Sequence, residues 1–396
     1  MNIKTARAYW NDHWQGLVSF GSVALLTVGL LTWRLKNLVP GYSNTEVIFH
    51  DQAVSAHNLL QNPVSLPYTG LLHLALMVRP DSLLAGRLIS ALLGLVVVGL
   101  FYWLIQHWHG RRIAWMATIL FLCSTRFLHT ARLGTPQVLL FALFALIVYG
   151  VWLKERIHVR FALPAGLLLA CLLVYVPGMI WFIAIGVLWQ WRTIVDKIWK
   201  TPVWLTVSAA VPALALLFPL GWSIAKHPKL AETFLGFPQP FPHVSTILHN
   251  LLNAPLQLFY THSTTLSDLG TPGLLTLDSF AIVLFIFGAY LYGRHFKLAR
   301  TSFLLWIILL GVAFIALGVM SVSVLFPFIY VVVASGLAYL LGQWLEVFPR
   351  NIFARSTGIV LLSIVIAFCC VYNLRRYFVA WPTSATTRAT FSNERP

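Results

Sequence analysis

Residues 34–81 read RLKNLVPGYSNTEVIFHDQAVSAHNLLQNPVSLPYTGLLHLALMVRPD and lie between two apolar runs, Gly16–Trp33 and Leu83–Gln106. The stretch is too polar to cross a membrane and too patterned to be a plain loop. PGYSNTEVIFHDQAVSAHNLLQNP and PYTGLLHLALMV each read as a short helix lying along the membrane surface. The first carries Glu46, His50, Asp51 and His57. Ser43-Asn44-Thr45-Glu46 fits a capping box, so a helix is predicted to start near Asn44. At roughly 100° per residue, Glu46, His50 and His57 fall within roughly 40° of one another. Phe49, Ala53, Ala56 and Leu60 form an apolar stripe beside that ridge. Titratable groups carried on an external surface helix point to chemistry at the membrane surface.

The rest of the chain sets this segment in a membrane. Of 396 residues, 59% are hydrophobic and only 10% charged, and the mean hydropathy is +0.80. A soluble surface of this extent needs far more charge, so the composition predicts an all-α polytopic membrane protein. No polar stretch is long enough for a separate soluble domain, and the chain reads as one integral-membrane unit, residues 1–396. The formal charge of +16 is spread as short Lys/Arg clusters between apolar runs. That distribution suits anionic lipid headgroups and argues against nucleic acid. Cys123, Cys171, Cys369 and Cys370 all fall inside apolar runs and read as small buried hydrophobes.

Apolar runs of about 20 residues span the bilayer core. About eleven are predicted: 16–33, 83–106, 113–128, 136–153, 161–176, 177–192, 203–225, 277–293, 302–319, 321–343 and 357–374. Tyr175-Val-Pro-Gly178 makes the fifth and sixth a pair joined by a tight turn. Lys4 and Arg7 precede the first run, which lacks a small-residue cleavage pattern and reads as a retained signal anchor. HWHGRR (107–112), KERIHVR (154–160), RTIVDKIWK (192–200), RHFKLAR (294–300) and PRNIFAR (349–355) are short and basic, and all fall on the cytoplasmic side of this scheme. The external side then holds the long loops 34–81 and 226–276.

Three groups of residues carry candidate chemistry. Glu46 suits a general base, with His50 tuning it and His57 and Asp51 as further substrate contacts. The competing role for Glu46 is closure of the capping box, and the two roles can coexist. Arg126, His129 and Arg132 recur at i, i+3, i+6 on the external end of the third span. The planar donor fork of arginine suits phosphate oxygens, and snorkelling to headgroups is the structural alternative. Arg87 lies four residues inside the second span and calls for a partner, with Asp81 or Glu46 nearest by topology. Lys226, His243, His249, His262 and Asp268 lie in the second long loop without metal-ligand spacing, and Lys226 is a further candidate substrate contact. No metal site, nucleotide loop, serine-hydrolase elbow or redox-active cysteine pair is legible.

Order and residue type resemble a known family. A first external loop that carries Glu46 on a surface helix leads into RLISALLGLVVVGLFYWL, the basic turn HGRRIAWMATILFL and the external stretch ARLGTPQVLLFALFAL. This order resembles the GT-C superfamily of membrane glycosyltransferases, in the branch of protein O-mannosyltransferases and lipid A aminoarabinose transferases, over about residues 35–155. The resemblance implies a polyprenyl-phosphate sugar donor and an active site on the extracytoplasmic face of the plasma membrane. It implies no nucleotide cofactor, because the leaving group is already a phosphate. The family's first loop usually carries an Asp-Glu pair, where this chain has Thr45-Glu46. Its acidic residue before the fourth span corresponds to Gln137, and Arg132 matches its preceding basic residue. The expected function is therefore transfer of a sugar to an acceptor glycan, lipid or protein, with Glu46 as base and Arg132 and Arg126 on the lipid phosphate. The alternative is a non-catalytic lipid-binding or assembly protein on the same scaffold.

Overall fold

The computed structural model of the chain describes residues 3–80, 82–154, 159–238, 240–259 and 277–392. Asp81, His262 and Asp268, singled out above, and most of the KERIHVR loop lie outside the described residues. The described residues form helices and no strand.

α1 (Ile3–Thr32) is followed by three short helices, α2 (Asn44–Val54), α3 (Ala56–Gln61) and α4 (Leu66–Val78), where the sequence predicts two. The extra break falls at Ser55, which leaves helical geometry and accepts from the His57 amide to cap α3. α5 (Leu84–His109) then crosses as a 26-residue helix. α6 (Arg111–Cys123) and α7 (Thr125–Arg132) are bent by 65° at Ser124. The predicted straight span 113–128 is thus a broken one. A 3₁₀ turn at Pro136–Ala142 leads into α8 (Leu143–Lys154) and α9 (Val159–Leu173). Gly178, at φ +75°, then turns the chain directly into α10 (Met179–Trp189), as Tyr175–Gly178 predicts. α11 (Trp191–Lys200), α12 (Val203–Lys226), α13 (Lys229–Leu235) and α14 (Val244–Phe259) follow. The chain ends with α15 (Ser279–Arg294), α16 (Ala299–Ala316), α17 (Phe326–Val347) and α18 (Ile352–Arg375), and short turns over Arg376–Ala380, Trp381–Thr383 and Ala385–Thr390.

The chain is a multi-pass membrane protein. Six described helical segments are long and apolar enough to cross, seven if the bent α6–α7 pair counts as one span. Phe161–Leu173, Met179–Trp189 and Ser279–Arg294 are apolar but only 10–17 residues long, short of the roughly 20 that a perpendicular crossing needs. By length and composition the described residues support six or seven crossings, so the predicted count of about eleven is not confirmed. Stripes of large apolar side chains stay exposed at helical spacing, such as Val207, Val211, Leu214 and Phe218 on α12 and Leu361, Ile364 and Phe368 on α18. Such stripes suit hydrocarbon rather than water.

The interior is built by aromatic packing and close backbone contact. Phe121 meets Phe101, Phe127, Phe144 and Tyr330 at ring-centroid distances of 4.6–5.9 Å. α15 and α17 touch through glycine: a Cβ on Gly336 would sit 1.9 Å from the Leu284 carbonyl oxygen, and one on Gly288 2.0 Å from that of Val332. Small residues let membrane helices approach this closely.

Candidate functional site

The site is built from the first-loop helices outward. Ser43 caps α2 in the predicted capping box: its hydroxyl accepts from the Glu46 amide at 3.3 Å, and Glu46 Oε2 accepts from the Ser43 amide at 3.0 Å. The carboxylate does more than close the helix. Arg87 donates from Nε to Oε1 at 2.8 Å and from Nη2 to Oε2 at 3.0 Å. The Gly134 amide donates to Oε1 at 2.9 Å. Glu46 and Arg87 are 3% and 2% exposed. Arg87 also donates to the Leu35 and Gly41 carbonyls and stacks over the Tyr42 ring, 4.3 Å from its centroid. One buried ion pair thus joins the α1–α2 connection, α2, α5 and the chain after α7. Of the two partners that topology offered Arg87, Glu46 pairs with it, and Asp81 lies outside the described residues. Burial pushes the Tyr42 hydroxyl up, with Arg87 opposing the shift and Glu46 adding to it.

The ridge predicted along the first helix does not stay whole. Glu46 and His50 are buried on α2, Asp51 is exposed beside them, and the break at Ser55 puts His57 on α3, where its Nε2 lies 2.9 Å from Gln61 Nε2. His50 Nδ1 lies 3.4 Å from Asp51 Oδ1, and its buried Nε2 has no hydrogen-bond partner.

Arg126, His129 and Arg132 lie on α7, all of whose residues are buried. After the bend at Ser124 this segment packs inside the protein. Arg132 donates to the Leu30 and Trp33 carbonyls, so its cation satisfies the C-terminal end of α1, and it lies over the Tyr377 and Phe378 rings. Arg126 Nε donates to Ser323 Oγ at 3.2 Å. His129 packs edge-on against Tyr377 and Trp381. Lys226 ends α12 with its ammonium 4.5 Å from the Trp222 ring centroid. None of these four residues lines the large cavity of the molecule.

That cavity, of about 1110 Å³, opens beside the Glu46–Arg87 pair. It is lined by the α1–α2 connection (Arg34, Lys36, Asn37, Tyr42), by the α4–α5 connection (Arg79, Ser82), and by Phe378, Thr383 and Arg388 from the end of the chain. Four cations face it, Arg34, Lys36, Arg79 and Arg388, all exposed, and no carboxylate among the described residues lines it. Arg34 holds a left-handed conformation, φ +52°, rare for a residue with a Cβ. Exposed arginines around a concave surface recognise phosphate or carboxylate oxygens. None of the four stands out in the sequence, and Arg388 comes from a segment that only folding returns to the first loop. Among the described residues no group of three or more His, Cys, Asp or Glu side chains gathers as metal ligands.

No family model matches this chain, and no curated protein matches it in sequence. Solved structures do. ArnT from Cupriavidus metallidurans in the apo state superposes with a TM-score of 0.52 at 11% sequence identity, covering 95% of this chain and 76% of that one. ArnT from the same organism bound to undecaprenyl phosphate gives a TM-score of 0.46 at 13% identity, covering 94% of this chain and 76% of that one. Across 95% of its length the chain shares the fold of the apo ArnT structure, in keeping with the fold that the resemblance over about residues 35–155 implies.

Proposed function

We propose that the chain is a membrane glycosyltransferase that moves a sugar from a polyprenyl-phosphate donor to an acceptor hydroxyl on the extracytoplasmic side of the plasma membrane. The observation that carries this reading is the open cavity with four cations and no described carboxylate, formed by the first loop on a GT-C-like scaffold. In this scheme the donor phosphate sits among Arg34, Lys36, Arg79 and Arg388. The acceptor oxygen bonds to the anomeric carbon as the bond from that carbon to the phosphate oxygen breaks, and the cations neutralise the charge left on the lipid phosphate. Glu46 holds Arg87 and the Gly134 amide in place. We assign the acceptor's proton to His50, one helical turn after Glu46, because its Nε2 lacks a partner while every Glu46 oxygen already accepts twice.

The test is binding of polyprenyl phosphate to the purified chain. Arg79→Ala and Arg388→Ala should each weaken it about tenfold or more, since charge-assisted bonds to a phosphate contribute roughly 1.5–3 kcal/mol. Lys226→Ala should leave it unchanged. Equal affinity in all of these proteins would remove the phosphate from this cavity.

A further inference from the structure

Three cavities run in series at the other end of α5, a helix of 26 residues and so roughly 39 Å from the site above. The first, of about 340 Å³, is walled by apolar side chains such as Leu146, Leu167 and Ile307. Gly150, Gln190 and Phe303 line both it and a narrower space of about 60 Å³. Arg300 lines that space and also a third cavity, of about 200 Å³. The third is polar. Ser335 Oγ lies 3.1 Å from His109 Nε2 and 3.2 Å from the Tyr292 hydroxyl, and His295, Arg300 and Thr301 also line the space. No carboxylate among the described residues lines any of the three. At the junction, the buried Oε1 of Gln190 has no hydrogen-bond partner.

We propose that this series is a second lipid site, for a phospholipid with a net anionic head. The phosphate meets the exposed Arg300 guanidinium and the hydroxyl-bearing wall at His109, Tyr292 and Ser335, and one hydrocarbon chain passes Gln190 into the apolar cavity. Both ends of the ligand follow from the lining. A soluble anion would leave an apolar cavity of ligand-binding size unfilled, and an uncharged chain would leave Arg300 with no counterion among the described residues that line these cavities. The basic loops 107–112 and 294–300, far apart in sequence, meet at the polar cavity through His109 and Arg300. The ligand therefore belongs to the leaflet facing those loops, opposite the candidate catalytic site, and its binding does not depend on the transfer reaction proposed above.

Two substitutions test head and chain separately. Arg300→Gln removes an exposed charge. Gly186→Leu fills the apolar cavity, since a Cβ at Gly186, which lines it, meets nothing within 4 Å. Native mass spectrometry of the full chain in detergent, with phosphatidylglycerol, phosphatidylcholine of the same chains or inorganic phosphate, reads the result. The parent chain and an Arg355→Gln control should retain phosphatidylglycerol more tightly than phosphatidylcholine. Each test variant should bind phosphatidylglycerol about tenfold more weakly, with its melting temperature kept near the parent's. Equal binding in all four proteins, equal retention of the two lipids, loss in only one test variant, or a response to inorganic phosphate without a lipid adduct would each overturn the proposal.

Discussion

Glu46→Gln should destabilise the protein strongly. Glu46 Oε1 accepts from Arg87 Nε and the Gly134 amide, and Oε2 accepts from Arg87 Nη2 and the Ser43 amide, at 2.8–3.0 Å. A glutamine turns one of these oxygens into an NH₂ group, which meets two donors whichever way the amide is flipped. Arg87 is then left buried without its counter-charge. Removing one partner of a buried ion pair costs about 3–5 kcal/mol, or roughly a hundredfold to a few-thousandfold in the folded-to-unfolded ratio. Capping alone predicts a cost of at most about 2 kcal/mol. Denaturant unfolding in detergent, followed by thiol labelling of the buried Cys123, Cys171 and Cys370, measures the difference. The double variant Glu46→Gln/Arg87→Met should recover part of the loss, because neither charge is then left alone. Stability of Glu46→Gln within about 0.5 kcal/mol of the parent, the range of an unremarkable surface change, would refute the assignment of Glu46 to the buried pair.

Further outcomes follow from the same geometry. Gly336→Ala should prevent folding, since its Cβ falls 1.9 Å from a backbone oxygen of α15, and loss of a monodisperse peak in size-exclusion chromatography reports it. His50→Ala should lower sugar transfer on the order of 100-fold while leaving donor binding intact, a contrast between turnover and affinity that a purely structural role would not produce. Arg132→Ala should lower thermal stability and leave polyprenyl-phosphate affinity unchanged, because its guanidinium is engaged by the α1 carbonyls.

Local signals in the sequence carried far. The capping box at Ser43–Glu46 and the turn at Gly178 depend on a few neighbouring residues and read directly. A lone arginine inside an apolar run needs an acid, and that need identified Glu46 as one of two partners for Arg87. The bend at Ser124 was not legible, because serine within an apolar run does not by itself break a helix, and without the bend nothing local shows that Arg126 and Arg132 are buried. The cavity cations were hidden for another reason. Arg34, Lys36 and Arg79 read as ordinary residues at span ends, and nothing local tells that Arg388 returns to them. The span count is not confirmed where a described helix is shorter than the apolar run that contains it, as at Met179–Trp189 within 177–192.

The central claim is that this scaffold transfers sugar from a lipid phosphate. The direct measurement incubates the purified chain in nanodiscs with a panel of polyprenyl-phosphate sugars and follows free polyprenyl phosphate by mass spectrometry, beside the Arg79→Ala/Arg388→Ala double variant. The account predicts release from at least one donor by the parent chain and a loss on the order of 100-fold in the double variant, from two charge-assisted phosphate contacts. Tight binding of donors across the panel with no release, or equal release by both proteins, would contradict it.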